Sequence, residues 1–154
     1  MSTLITVEQN ARPGERSGTL RGETVIEPAS QRQILSGRIL SGLSIAFLLF
    51  DAGMKIARVP AAVEGTVQLG YPAEAILGIG LVQLICLALY VAPRTAVVGA
   101  LLLTGYLGGA VATHVRVGNP LFSHILFPTY VAALVWGGLY LRDSRLRALL
   151  PVRR

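Results

Sequence analysis

The sequence predicts an all-α fold: a four-helix transmembrane bundle with both termini in the cytoplasm. Three observations predict it. Of 154 residues, 53% are hydrophobic and only 14% charged, with a mean hydropathy of +0.60, whereas soluble domains carry about a quarter charged residues. The charge is segregated. Residues 1–33 hold four arginines and four glutamates, residues 142–154 five arginines and one aspartate, and residues 34–141 only eight charged side chains. Within that interior lie four apolar runs of about 20 residues, each enough to cross a hydrocarbon core of roughly 30 Å.

Taken in order, residues 1–33 read as a polar, flexible tail with no apolar core of a cleavable signal. A helix starts near Ser30 or Gln31, and residues 36–57 form the first span. Arg38 lies near its inner end, where a long aliphatic stem lets the guanidinium reach the headgroups. Pro60 stops this helix from simply continuing. Residues 60–72, PAAVEGTVQLGYP, are less apolar and predict a short interfacial helix closed by Gly70 and Pro72. The second span covers 74–92. Pro93 and Arg94 make a tight break, and Thr95 starts the third span, 95–113. The fourth runs over 121–141 with a bend at Pro128, and 142–154 form a basic cytoplasmic tail.

An even number of spans returns both ends to one side. The arginines of 142–154, together with Arg94, assign that side to the cytoplasm by the positive-inside rule. The same arginines account for the net charge of +6 as an anchor against anionic lipid headgroups, so nucleic acid is excluded as a partner. The single cysteine, Cys86, lies mid-span and reads as packing; one thiol makes no internal disulfide or thiol cluster. Small residues mark helix approach: Gly105, Gly108 and Gly109 in the third span, and Gly37–Ser41 and Gly42–Ala46 in the first. Tyr90, Tyr140 and Trp136 fit the inner aromatic belt, while Tyr106 and Tyr130 lie deeper and suit a polar cavity lining. Gln83, also mid-span, requires a helical partner.

This topology turns scattered polar residues into one question. Asp51 and Lys55 stand i,i+4 on one helical face near the outer end of the first span. The third span ends outward at His114, with Arg116 and Asn119 beyond it. The fourth begins outward with Ser123 and His124, and Glu64 and Glu74 flank the first outer connection. A charge inside a membrane requires a partner or water, so Asp51 and Lys55 are either a structural ion pair or the base of a ligand site. The histidines are structural, agents of proton transfer and ligand binding, or ligands to a metal or haem iron; their ten-residue separation matches no tight metal motif.

The segments FLLFDAGMK (47–55), LGYP (69–72), PRTAVVGALLLTGYLGGAVATHVRVGNPLF (93–122) and LVWGGLYLRDSRLRALLP (134–151) resemble the DoxX-like family of small bacterial four-helix membrane proteins. The resemblance covers about residues 34–151. It implies a compact four-helix integral-membrane fold, and it carries Asp51, Lys55, His114, Arg116, Asn119 and Pro120 over as family residues. Some relatives are associated with thiosulfate:quinone oxidation or other respiratory redox systems, which makes a quinone the ligand to consider; no cofactor is specified by the sequence itself.

The leading expectation is a membrane protein that holds a small lipophilic or quinone-like molecule near the extracytoplasmic side, as an accessory to a redox system. His114, His124 and Asp51 are the candidate catalytic groups, and Lys55, Arg116, Tyr106, Tyr130 and Asn119 the candidate ligand contacts. Two alternatives stand beside it. One is a non-catalytic subunit of a membrane complex or homo-oligomer; the other is a cofactor-independent enzyme, such as an isomerase, using histidine acid–base chemistry.

Overall fold

The computed structural model describes residues 30–149 and is helical throughout them, without strands. The elements are α1 (Gln31–Ile56), α2 (Pro60–Gln68), α3 (Ala75–Val91), α4 (Ala96–Arg116), a π-helical turn (Leu121–Ile125), α5 (Phe127–Arg142) and α6 (Ser144–Leu149). Three segments are long and apolar enough to cross a membrane: α1, α4 and the stretch from Leu121 to Arg142. The apolar α3 is shorter, at 17 residues.

Local chemistry explains the boundaries. Ser30 and Gln33 form a capping box: the Ser30 hydroxyl accepts from the Gln33 N–H at 3.3 Å, and the Gln33 side-chain oxygen accepts from the Ser30 N–H at 3.1 Å. Helix α1 therefore begins just inside the stretch expected as tail; the rest of that tail, 1–29, lies outside the described residues. Pro60 opens α2 in the first turn, where its missing N–H costs nothing. Helices α1, α2 and α4 end alike. In each, the residue after the cap turns left-handed (Arg58, φ 53°; Gly70, φ 81°; Gly118, φ 72°), and the next N–H reaches back to a carbonyl five residues earlier.

The fourth apolar run differs from the single bent helix expected. Pro128 has no N–H to donate to the carbonyl four residues before it, so a regular helix cannot pass through from Leu121. The chain instead makes a π turn, in which the Ile125 and Leu126 N–H groups bond to Pro120 and Leu121 at 3.3 and 2.9 Å, and restarts as α5 with Pro128 in its first turn. The basic tail also acquires structure: α6 covers 144–149, and Leu146 packs into the core.

Helix α1 packs against α3 and α5, and α4 packs against the same two. The buried positions follow one spacing. In α1 they are Gly37, Ser41, Ser44, Leu48 and Ala52, and in α3 Ile76, Gly80, Gln83, Cys86, Leu87 and Tyr90, stepping mostly by three or four. Glycine permits the closest approaches. A Cβ on Gly37 would lie 2.9 Å from the Gly138 oxygen and the Arg142 nitrogen, and one on Gly80 would lie 2.9 Å from the Lys55 Cβ. The expected step at Gly37–Ser41 thus makes a tight contact with α5. Gly42, Gly105, Gly108 and Gly109 do not, since a Cβ on any of them meets nothing within 4 Å.

The buried core, built on Leu48, Cys86, Leu87, Tyr90, Leu103, Val135 and Leu139, fills the half of the molecule near the chain ends. Cys86 packs there as expected. Tyr90 is not a belt residue: it is fully buried, its hydroxyl donating to the Val135 carbonyl at 2.9 Å and lying 3.0 Å from the Ser41 hydroxyl. The outward faces are as apolar as the core, with Leu35, Phe50, Ile85, Leu101 and Phe122 exposed. Such a surface suits lipid rather than water.

Candidate functional site

Beyond Leu48 the interior changes character. Past Leu48 the buried stripe of α1 runs on to Ala52, and Asp51 and Lys55 lie at its border, partly buried against the neighbouring helices. On α4, Leu103 and Leu107 likewise lead to His114, seven residues past Leu107 and thus on the same face. Where apolar side chains give way to these groups, a cavity of about 720 Å³ opens at the end of the fold opposite residues 30 and 149. Its wall includes Met54, Ile79, Gly105, Gly109 and Ala110, and α2 with its following turn covers it through Thr66, Leu69 and Tyr71.

The floor is a closed hydrogen-bond network. Lys55 Nζ is ion-paired with the Asp51 carboxylate and donates to Gln83 Oε1 at 2.9 Å and to the Tyr106 hydroxyl oxygen at 3.2 Å. The Tyr106 hydroxyl donates to the same Gln83 oxygen at 2.8 Å, and Gln83 Nε2 donates to the Leu48 carbonyl at 3.0 Å. Three helices are thereby tied at one level. Gln83 is fully buried, while the Lys55 and Asp51 side chains are 18% and 30% exposed, so the pair borders the cavity. The absent Cβ of Gly80 leaves room for the Lys55 stem against α3.

At the opposite wall the helix ending of α4 builds a second device. Gly118 in the left-handed conformation turns the chain so that the Asn119 N–H bonds to the His114 carbonyl at 3.1 Å, and the Asn119 side-chain amide lies 2.8 Å from His114 Nδ1. With the amide donating, Nδ1 accepts and the His114 proton resides on Nε2. His124 on the π turn stacks edge-on against His114 with ring centroids 5.8 Å apart, its Nδ1 being 2.8 Å from the Ser123 hydroxyl. Among the described residues no group of three His, Cys, Asp or Glu side chains could hold a metal ion.

Of the eight residues expected from sequence, the cavity lining brings together Asp51, Lys55, Tyr106, His114, Asn119 and His124. Two lie elsewhere. Tyr130 is 49% exposed and outside the lining, because the buried stripe of α5 runs through Pro128, Val131 and Val135 and leaves position 130 facing out. Arg116 also falls outside the lining; it donates to the Leu69 carbonyl at 2.6 Å and lies over the Tyr71 ring at 5.9 Å, so it fastens the turn after α2 to α4. The Tyr71 hydroxyl adds a second fastening, 3.0 Å from Thr113 Oγ1. Glu64 and Glu74 are exposed and line nothing. Sequence reasoning placed Gln83 on a helix partner but missed it as the hub of the floor; its place on the α3 stripe between Gly80 and Leu87 was the available signal.

A family model described as the DoxX-like family matches residues 39–138. The chain belongs to the DoxX-like family. No curated protein and no solved structure matches it. The matched region contains the cavity, its floor and both histidines. With its apolar helices, this membership makes the chain a membrane protein.

Proposed function

We propose that this DoxX-like chain is a four-span protein of the bacterial inner membrane, with α3 as the short span, both ends cytoplasmic, and the cavity opening on the outer side. It holds a small lipophilic molecule there. The observation that carries the reading is the cavity itself: a space of about 720 Å³ whose wall joins glycine and aliphatic side chains to a few polar ones, Gln68, Tyr71 and His114 among them, and whose floor is the one ion pair among the described residues. Pockets for lipophilic ligands divide their labour in this way, with an apolar wall for the body and few polar groups for orientation. Asp51, held by Lys55, orients the polar end, and His114 with its Nδ1 occupied by Asn119 presents Nε2–H as a proton donor or hydrogen-bond donor.

A catalytic reading has one observation in its favour, the His114–Asn119 pair, which fixes a tautomer as acid–base work requires. It gives an isomerase-like proton transfer on the same bound molecule. A redox role requires an external electron carrier, and a quinone would fill that role with a carbonyl accepting from His114 Nε2–H.

Filling the cavity tests the reading. A side chain at Gly109 meets no atom within 4 Å of its Cβ and borders the cavity, so Gly109→Leu occupies it without disturbing a helix contact. Native mass spectrometry of the purified wild type is expected to release a small lipophilic molecule that Gly109→Leu does not retain. Equal retention by both, or none by the wild type, overturns the proposal.

A further inference from the structure

The hydrogen bonds around the cavity leave a donor–acceptor asymmetry that specifies the ligand. An ammonium has three hydrogens, and those of Lys55 are taken by Asp51, Gln83 and the Tyr106 oxygen. The Tyr106 proton goes to Gln83, the Thr66 proton to the Ala62 carbonyl, and the Thr113 proton to the Gly109 carbonyl, so the Tyr71 proton goes to Thr113. The floor therefore has no donor left to offer. What it does offer is an acceptor: Asp51, which borders the cavity, binds Lys55 through Oδ2, and among the described residues no donor reaches its Oδ1.

We infer that the cavity selects a neutral amphiphile whose polar end carries a hydroxyl group, donated to Asp51, in preference to one whose polar end only accepts. The inference rests on the lipophilic-ligand reading above and makes it specific. Charge narrows the class further. Asp51 and Lys55 cancel, so the lining attracts neither anion nor cation strongly, and an ammonium approaching Asp51 meets the Lys55 charge on the same carboxylate. A carboxylate ligand seated at the floor would face Asp51 with the Lys55, Tyr106 and Gln83 donors there already engaged. A phenol or alcohol satisfies the open oxygen without these costs, and an acceptor elsewhere on it would lie within the compass of His114 Nε2–H at the opposite wall.

The test compares 4-tert-butylphenol with its methyl ether 4-tert-butylanisole, in which a methyl group replaces the hydroxyl proton, titrated by calorimetry into the full-length protein in nanodiscs against empty nanodiscs. The phenol is expected to bind at least tenfold more tightly than the ether, Asp51→Asn to reduce that preference below threefold, and Gly109→Leu to abolish binding of both. Equal affinities, or a tighter ether, overturn the inference while leaving a lipophile-binding cavity in place. Binding that survives Gly109→Leu, or no binding of either probe to the wild type, overturns the cavity reading as well.

Discussion

Replacing Gln83 by leucine removes the hub of the floor while conserving side-chain size. Three groups are affected. Lys55 Nζ and the Tyr106 hydroxyl lose the oxygen they share, at 2.9 and 2.8 Å, and the Leu48 carbonyl loses the amide donor at 3.0 Å. Interhelical hydrogen bonds inside membranes average about 0.6 kcal/mol and reach about 1.7 kcal/mol. Two of the three bonds here join neutral groups and contribute roughly 0.6 kcal/mol each; the third has a charged donor and sits near the upper figure. Their sum is about 3 kcal/mol, and new apolar contacts of the leucine return a part of it, leaving a loss of about 2 kcal/mol. Reversible unfolding in mixed micelles measures it. A double-mutant cycle with Tyr106→Phe isolates the shared bond: Tyr106→Phe is expected to cost about 0.5 kcal/mol less in the Gln83→Leu background than in the wild type. A Gln83→Leu protein within 0.5 kcal/mol of wild type would refute the network as a structural tie.

Three further outcomes follow from geometry already described. Gly99→Ala places a Cβ into the Tyr90 backbone and is expected to destabilise by about 1–3 kcal/mol, the usual cost of overpacking, seen as a lowered melting temperature in detergent. Arg58→Gly relieves a left-handed residue, which costs about 1–2 kcal/mol for a side chain with a Cβ, against about 0.5–1 kcal/mol of added chain entropy; a net gain of roughly 0.5 kcal/mol is expected in the same assay. For orientation, a cysteine at exposed Glu64 is expected to react with a membrane-impermeant maleimide in intact cells and one at Arg145 only after lysis, with buried Cys86 contributing no background.

Much of the fold was legible because its signals are local. Ser30 and Gln33 announce a helix start, Pro60 another, and Pro93–Arg94 separates α3 from α4. The departure at 121–128 was only half legible: Pro128 predicts a disturbance, but whether the chain bends or makes a wider turn depends on which carbonyls the preceding N–H groups find, and that is decided by Pro120 and Leu121. The convergence of Asp51, Lys55, His114 and His124 was readable as a shared end of the molecule. Their shared cavity was not, because it depends on α2 folding over them. Position relative to the packing stripe separates the outcomes: Gln83 lies on it and Asp51, Lys55 and His114 at its border, whereas Arg116 and Tyr130 face away from it. The glycines misled for a related reason, since small residues allow close approach without requiring it. Gly37 and Gly138 use that freedom, and Gly105 and Gly109 leave it as empty space.

The solid half and the hollow half of this protein lie at opposite ends of the fold, and that arrangement separates two kinds of selective pressure. Residues around Tyr90 and Leu139 hold the helices together regardless of what enters from outside, so substitutions around Met54, Ile79 or Ala110 change what fits without loosening the framework. Duplicated copies of such a chain can diverge in their guests while remaining the same scaffold.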